Sequence, residues 1–204
     1  DERSWVVFES GPFGATYAHA LGIRPHVDRA NPILALIGSP TELTKLQSDR
    51  LESQSGVDLI TVDDPASDVS QLLSRLRASA EIGKTVIGIR TTSRDGSAPD
   101  PLHASQMLAL IIDLAVECAD SMQFDGIYAS GGDVAFAVLD ALGARGYEVE
   151  NEVVPLAVSG KLVGGPHDGL GFATKGGLVG DADAAVECIN QLRSRIRQSE
   201  PRIV

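Results

Sequence analysis

A chain of 204 residues with 43% hydrophobic and 22% charged side chains has the balance of one globular domain, able to bury about 70% of its extended-chain surface. Its formal net charge of -11, from 17 Lys plus Arg against 28 Asp plus Glu, is spread along the sequence and repels phosphate backbones and anionic lipid, so nucleic acid is not an expected partner. Apolar stretches break off short of the roughly 20 residues a membrane span needs, and no membrane association is expected.

In chain order, residues 5–8 (WVVF), 33–37 (ILALI), 57–62 (VDLITV), 85–89 (TVIGI) and 124–129 (FDGIYA) are aliphatic or β-branched runs that read as strands buried on both faces. Turn residues or helical patterns follow them, and that alternation predicts an α/β fold, a mainly parallel sheet flanked by helices. The stretch PTELTKLQSDRLESQ after Ser39 is helix-compatible. Asp64-Pro65 and Asp100-Pro101 each place a capping carboxylate before a proline at the first helical position, where a missing N–H costs nothing. Residues 101–120 make a helix apolar over most of its circumference, expected to be central. Its Leu110, Ile111 and Leu114 serve either the core or a surface for another domain or a second copy. The polar loop at 90–100 (RTTSRDGSAPD) is a solvated connection or an active-site lid.

Val134 to Leu142 returns to helical spacing, with Gly143 as its C-cap. The style then changes to shorter, mixed strands at 147–156, 158–163 and 171–175, before Asp181 caps a final helix over 182–197. Arg193, Arg195 and Arg197 stand at the negative dipole end of that helix. Cys118 and Cys188 lack paired spacing and sit in apolar helical patterns, as buried reduced thiols of a cytoplasmic protein would. His19, His26, His103 and His167 are scattered and form no metal-ligand pattern.

Chemistry concentrates in the glycine-rich turns. At SGGDVA (residues 130–135) a strand ending at Ala129 presents Ser130, Gly131 and Gly132 at the carboxyl edge of the sheet, and a helix begins near Asp133. The glycines permit close backbone approach and the first helical N–H groups are unpaired, the elements of a phosphate cradle. Asp133 is a helix cap, a ligand of nucleotide-bound Mg²⁺, or an acceptor for a substrate hydroxyl proton. The stretch at 163–181 adds Gly165, Thr174, Lys175, Gly176 and Gly177 as a wrap for a nucleotide, with Lys175 as the cation and His167 as a hydrogen-bonded loop residue. Gly38-Ser39 closes the ILALI strand, and Ser39 either caps the next helix or touches the nucleotide. ESGPFGA at 9–15 is a phosphate loop in form, with Glu9 against that use. Such sites converge if their strands are neighbours, because α/β sheets bind ligands at that edge.

The order and spacing of ILALIGSPTELTKLQ, SGGDVAFAVLDALG, NEVVPLAVSGKLVGG and GLGFATKGGLVGD resemble the C-terminal nucleotide-binding domain of the four-carbon acid sugar kinase family. The resemblance implies ATP as cofactor, with Mg²⁺, and a four-carbon sugar acid such as threonate or erythronate held by a separate N-terminal domain. It puts the nucleotide on Ser39, on Gly131, Gly132, Asp133 and Val134, and on Lys175, Gly176 and Gly177. Where the family commonly has GGDTA and KAGGFG, this sequence has GGDVA and KGGLVG, so Val134 removes a hydroxyl contact. The family's paired-aspartate DDxTG signature is not in these residues, and the chain opens on Asp1. Residues 1–204 are therefore read as one nucleotide-binding domain, an excised portion of a kinase in preference to one half of a two-protein kinase or a stand-alone descendant with another job, with a homodimer as a further association. The alternatives are a non-enzymatic anion- or nucleotide-binding module with a regulatory or interaction role, and an NAD-linked enzyme. No GxGxxG turn supports the last.

Overall fold

The computed structural model describes residues 31–92 and 100–199. The expected WVVF strand, the ESGPFGA turn, His19, His26 and residues 93–99 of the polar loop lie outside them. The described residues form one seven-stranded sheet in the order β2-β3-β1-β4-β7-β6-β5. Its strands are β1 (Ile33–Ile37), β2 (Val57–Val62), β3 (Val86–Thr91), β4 (Gly126–Ser130), β5 (Gly146–Val154), β6 (Ala157–Val163) and β7 (Gly171–Lys175). The helices are α1 (Glu42–Glu52), α2 (Val69–Glu81), α3 (Pro101–Ser121), α4 (Gly132–Ala141) and α5 (Ala184–Ser199).

The first four strands and β7 pair in parallel, whereas β6 runs antiparallel to β7 and carries β5 as a hairpin at the edge. This is the expected mainly parallel α/β sheet with a mixed C-terminal portion. Alternation along the strands divides the core: Leu34, Leu36, Ile87 and Ile127 face α2, α3 and α4, while Ile33, Ala35, Val86 and Tyr128 face α1 and α5. Helix α3 has the length and composition to cross a membrane. Instead its Leu110, Ile111 and Leu114 are buried in the core, which resolves those residues to packing. Cys118 and Cys188 are free and buried, and burial pushes each thiol up to about 12.

Several boundaries differ from expectation for local reasons. Asp64-Pro65 makes a turn, with Ala66 N–H donating to the Asp64 carboxylate at 2.9 Å, and the helix starts only after Asp68, which caps Ser70 N–H at 2.8 Å. Pro101 does open α3, but Asp100 makes no side-chain capping bond. The Asp181 carboxylate accepts from Asp183 N–H at 3.0 Å, so α5 begins two residues later than expected, at Ala184. Strand β5, expected over 147–156, spans Gly146–Val154, held on the β6 ladder across two register shifts and ending where the turn into β6 begins.

Candidate functional site

Strands β1 and β4 are neighbours, yet α1 leaves β1 onto one face of the sheet and α4 leaves β4 onto the other. A crevice must open between their carboxyl ends, the place where open α/β sheets bind ligands. A cleft of about 1010 Å³ lies there, with Ser39, Gly131, Gly132, Asp133, Val134, Gly176 and Gly177 in its lining. The ladders continue past the strand ends and close its floor. Gly38 N–H donates to Ser130 O at 3.2 Å, and Gly131 N–H donates to Lys175 O at 2.9 Å.

Three helices point their N-termini at this cleft. Thr41 caps α1, accepting from Thr44 N–H at 3.1 Å, so Ser39 is not the cap and its side chain belongs to the cleft rim. Asp100 precedes α3 and Gly131 precedes α4, and neither supplies a side-chain cap. The convergence adds partial positive charge and uncapped first-turn N–H groups, the basis of anion binding at helix ends. Gly131 takes φ 112°, a conformation that L side chains rarely adopt. At Gly132 an added Cβ would meet nothing within 4 Å. The protein's own packing leaves that space open.

Close packing explains two other glycines. A Cβ at Gly38 would sit 2.4 Å from Val134 Cγ2 and 2.8 Å from Ile111 Cδ1, so glycine lets α3 and α4 close over the end of β1. A Cβ at Gly177 would lie 2.1 Å from Ser39 Oγ, which brings the loops after β1 and β7 into direct contact. The β7 loop is also pinned to α1. Thr41 and Thr44 hydroxyls both donate to Gly177 O at 2.9 Å, and Gln47 Nε2 donates to Val179 O at 2.9 Å and Asp181 O at 2.6 Å. Gln47 is 1% exposed, so Gln47→Ala leaves two carbonyls short of a partner. The expected loss is about 2 kcal/mol, read as a lower urea midpoint at unchanged denaturant slope.

Three of the expected site residues stand elsewhere. Gly165, like His167, lies in the loop after β6, at the opposite edge of the sheet because β6 runs antiparallel. There it takes φ 79° and packs against Gly143 O, 2.2 Å from where its Cβ would be. Thr174 lies outside the cleft lining, on the sheet face of Phe172, and Lys175 shares the opposite face with Ala173. Lys175 is 2% exposed and its Nζ donates to Gly176 O at 3.0 Å. Burial pushes its ammonium below the ordinary lysine value, with the Cys188 thiol acting the other way.

Of the rest of the cleft, the sequence reading includes Val134 at the nucleotide and residues 90–100 as a connection or lid, and it misses His103, Met107, Leu108, Ile111 and Leu178. Thr91 ends β3, beside β1, Thr92 follows it, and His103 stands in the first turn of α3. Met107, Leu108, Ile111 and Val134 make an apolar wall, and Leu178 stands 78% exposed at the rim. An apolar wall beside uncapped helix ends suits a ligand with a flat apolar part and an anionic tail. Among the described residues, Asp100 and Asp133 are the carboxylates in the lining, no Lys or Arg joins them, and no group of three acidic, His or Cys side chains is placed to hold a metal.

Residues 34–185 match the model of the nucleotide-binding C-terminal domain family. The chain is 35% identical over 219 aligned residues to a D-erythronate kinase of Heliobacterium modesticaldum, covering 95% of this chain and 49% of that protein. It is 27% identical to a D-threonate kinase of Salmonella typhimurium, across 73% of this chain and 40% of that one. A Bordetella bronchiseptica crystal structure, a domain-swapped dimer with bound citrate, superposes with a TM-score of 0.69 at 26% identity, covering 80% of this chain and 41% of its own. The chain thus spans about half the length of the curated kinases it matches. With four sequence motifs, the sheet and the family match in agreement, this chain belongs to the four-carbon acid sugar kinase family, as its nucleotide-binding C-terminal domain.

Proposed function

We propose that this chain is the ATP-binding half of a cytoplasmic kinase that phosphorylates a hydroxyl of a four-carbon sugar acid such as erythronate or threonate. The observation that carries the reading is the open cradle at Gly132, set at the first turn of α4 beside the switch point between β1 and β4. A phosphate chain placed there meets uncapped N–H groups and a helix dipole, which favour the charge that develops during phosphoryl transfer. Ser39, Gly131, Gly132, Gly176 and Gly177 are assigned to the nucleotide, with Met107, Leu108 and Val134 offering the apolar wall to its base. Asp133 is exposed in the first turn of α4, where a carboxylate opposes a bare phosphate but suits one that carries a metal. Magnesium is proposed to be held by Asp133, taking its other oxygens from phosphate and water, as this hard cation commonly does. ATP supplies the phosphoryl group when bound.

Recognition of the sugar acid is assigned to a second domain, in keeping with the half-length match to the kinases. Association of two copies belongs to the same proposal, on the strength of the domain-swapped Bordetella dimer. Isothermal titration tests the reading. The parent protein should bind MgATP saturably, and Asp133→Asn should weaken MgATP about tenfold, a loss of about 1.4 kcal/mol, while metal-free ATP binds as well or better. A folded parent that takes up no ATP to millimolar concentration would overturn the proposal.

A further inference from the structure

The family's glycine turns leave one residue unexplained. Lys175 lies outside the cleft lining and is 2% exposed, in a place where a cation is costly. Its Nζ has the Gly176 carbonyl as hydrogen-bond acceptor at 3.0 Å. On the same sheet face, Tyr128 and Ser130 of β4 bring buried hydroxyls that find no hydrogen-bond partner. A methionine would fill the same length without that cost. Packing therefore gives no reason for lysine at this position.

Its bonds do give one. Lys175 O accepts from Gly131 N–H at 2.9 Å at the turn that starts α4, and in the turn after β7 Gly176 O accepts from both Val179 N–H at 3.2 Å and Lys175 Nζ. In a trans peptide the carbonyl and the following N–H point in opposite directions. Gly176 O directed down to Lys175 therefore sends Gly177 N–H the other way, toward the cleft that Gly177 lines. Gly177 O is in turn held by the Thr41 and Thr44 hydroxyls of the first turn of α1. The Lys175 carbonyl, which any residue here would supply, ties the two turns together, and the lysine side chain braces the second of them.

We propose that the Lys175 side chain is a positioning group, bracing the glycine turn after β7, which its main chain ties to the turn after β4, so that Gly177 N–H meets the nucleotide phosphates. The inference rests on the nucleotide-binding reading above. Lys175→Met should keep its melting temperature or gain a few degrees, since it removes a buried charge without opening a cavity. It should lose about tenfold in MgATP affinity and change little toward adenosine, which has no phosphate to meet the turns. Hydrogen exchange, read without nucleotide, should quicken at residues 176–179 and stay parent-like at Gly131, whose bond to the Lys175 carbonyl the variant keeps. Equal losses for ATP and adenosine with a lower melting temperature would make Lys175 merely structural and overturn the inference. Parent-like ATP binding and parent-like exchange in Lys175→Met would overturn it too, leaving the nucleotide reading standing. ATP binding by neither protein would sink both.

Discussion

Gly132→Val will leave the domain as stable as the parent and weaken MgATP about 100-fold, or about 2.8 kcal/mol. The two halves of that expectation come from different observations. Stability is preserved because a Cβ at position 132 meets nothing within 4 Å, and because valine is no worse than glycine in a helix. Binding is lost because that open space is where a phosphate must approach the first turn of α4, and a branched side chain occupies it. Gly132→Ala should fall between the two, at about tenfold. Titration calorimetry and thermal melting on the same samples separate the effects. A valine variant that binds MgATP as the parent does would place the phosphates elsewhere, whereas one that fails to fold would show that Gly132 is packed.

The fold was legible because its signal is repeated. Five parallel strands each present apolar side chains to both core clusters, and the runs at 33–37 and 57–62 match the observed strands end to end. Boundaries set by one side-chain bond were not: Asp64 and Asp68 are both capping residues by type, and geometry alone decides that Asp64 makes a turn and Asp68 starts α2. In the candidate site, the glycine turns that follow β1, β4 and β7 came together as expected, since neighbouring parallel strands deliver their ends to one edge. Lys175 was read as a cleft cation from its neighbours in sequence, although strand alternation turns it to the α1 and α5 face with Ala173. Gly165 shared a glycine-rich stretch with Gly176, but the reversal between β6 and β7 separates them by the length of the sheet. Thr91 and Thr92 belong to the 90–100 stretch read as a connection or a lid, and the position of β3 beside β1 brings them to the cleft, whereas His103 carries no local signature and arrives with the first turn of α3.

The largest loss of stability should come from adding a single methyl at Gly88. Glycine to alanine in a strand is ordinarily favourable or neutral, because it removes unfolded-state entropy. Here the sign reverses. Gly88 pairs with Ala35 of β1 and Leu59 of β2, and a Cβ on it would lie 1.9 Å from Ala35 O and 2.7 Å from its carbonyl carbon. Those atoms are backbone in the middle of the sheet, held by β4 on the far side, so relief requires moving a strand and not a side chain. The expected cost of Gly88→Ala is about 3 kcal/mol or more, at the upper end for overpacking. Ile87→Val is the control, since the neighbouring Ile87 is fully buried and losing one methyl there costs about 0.5–1.5 kcal/mol. Urea unfolding should rank the added methyl as the more damaging change. The same displacement carries to the cleft, because β3 ends three residues later at Thr91. A Gly88→Ala protein as stable as Ile87→Val would mean that β1 and β3 can separate without cost, and the rigid edge on which the cleft depends would then be absent.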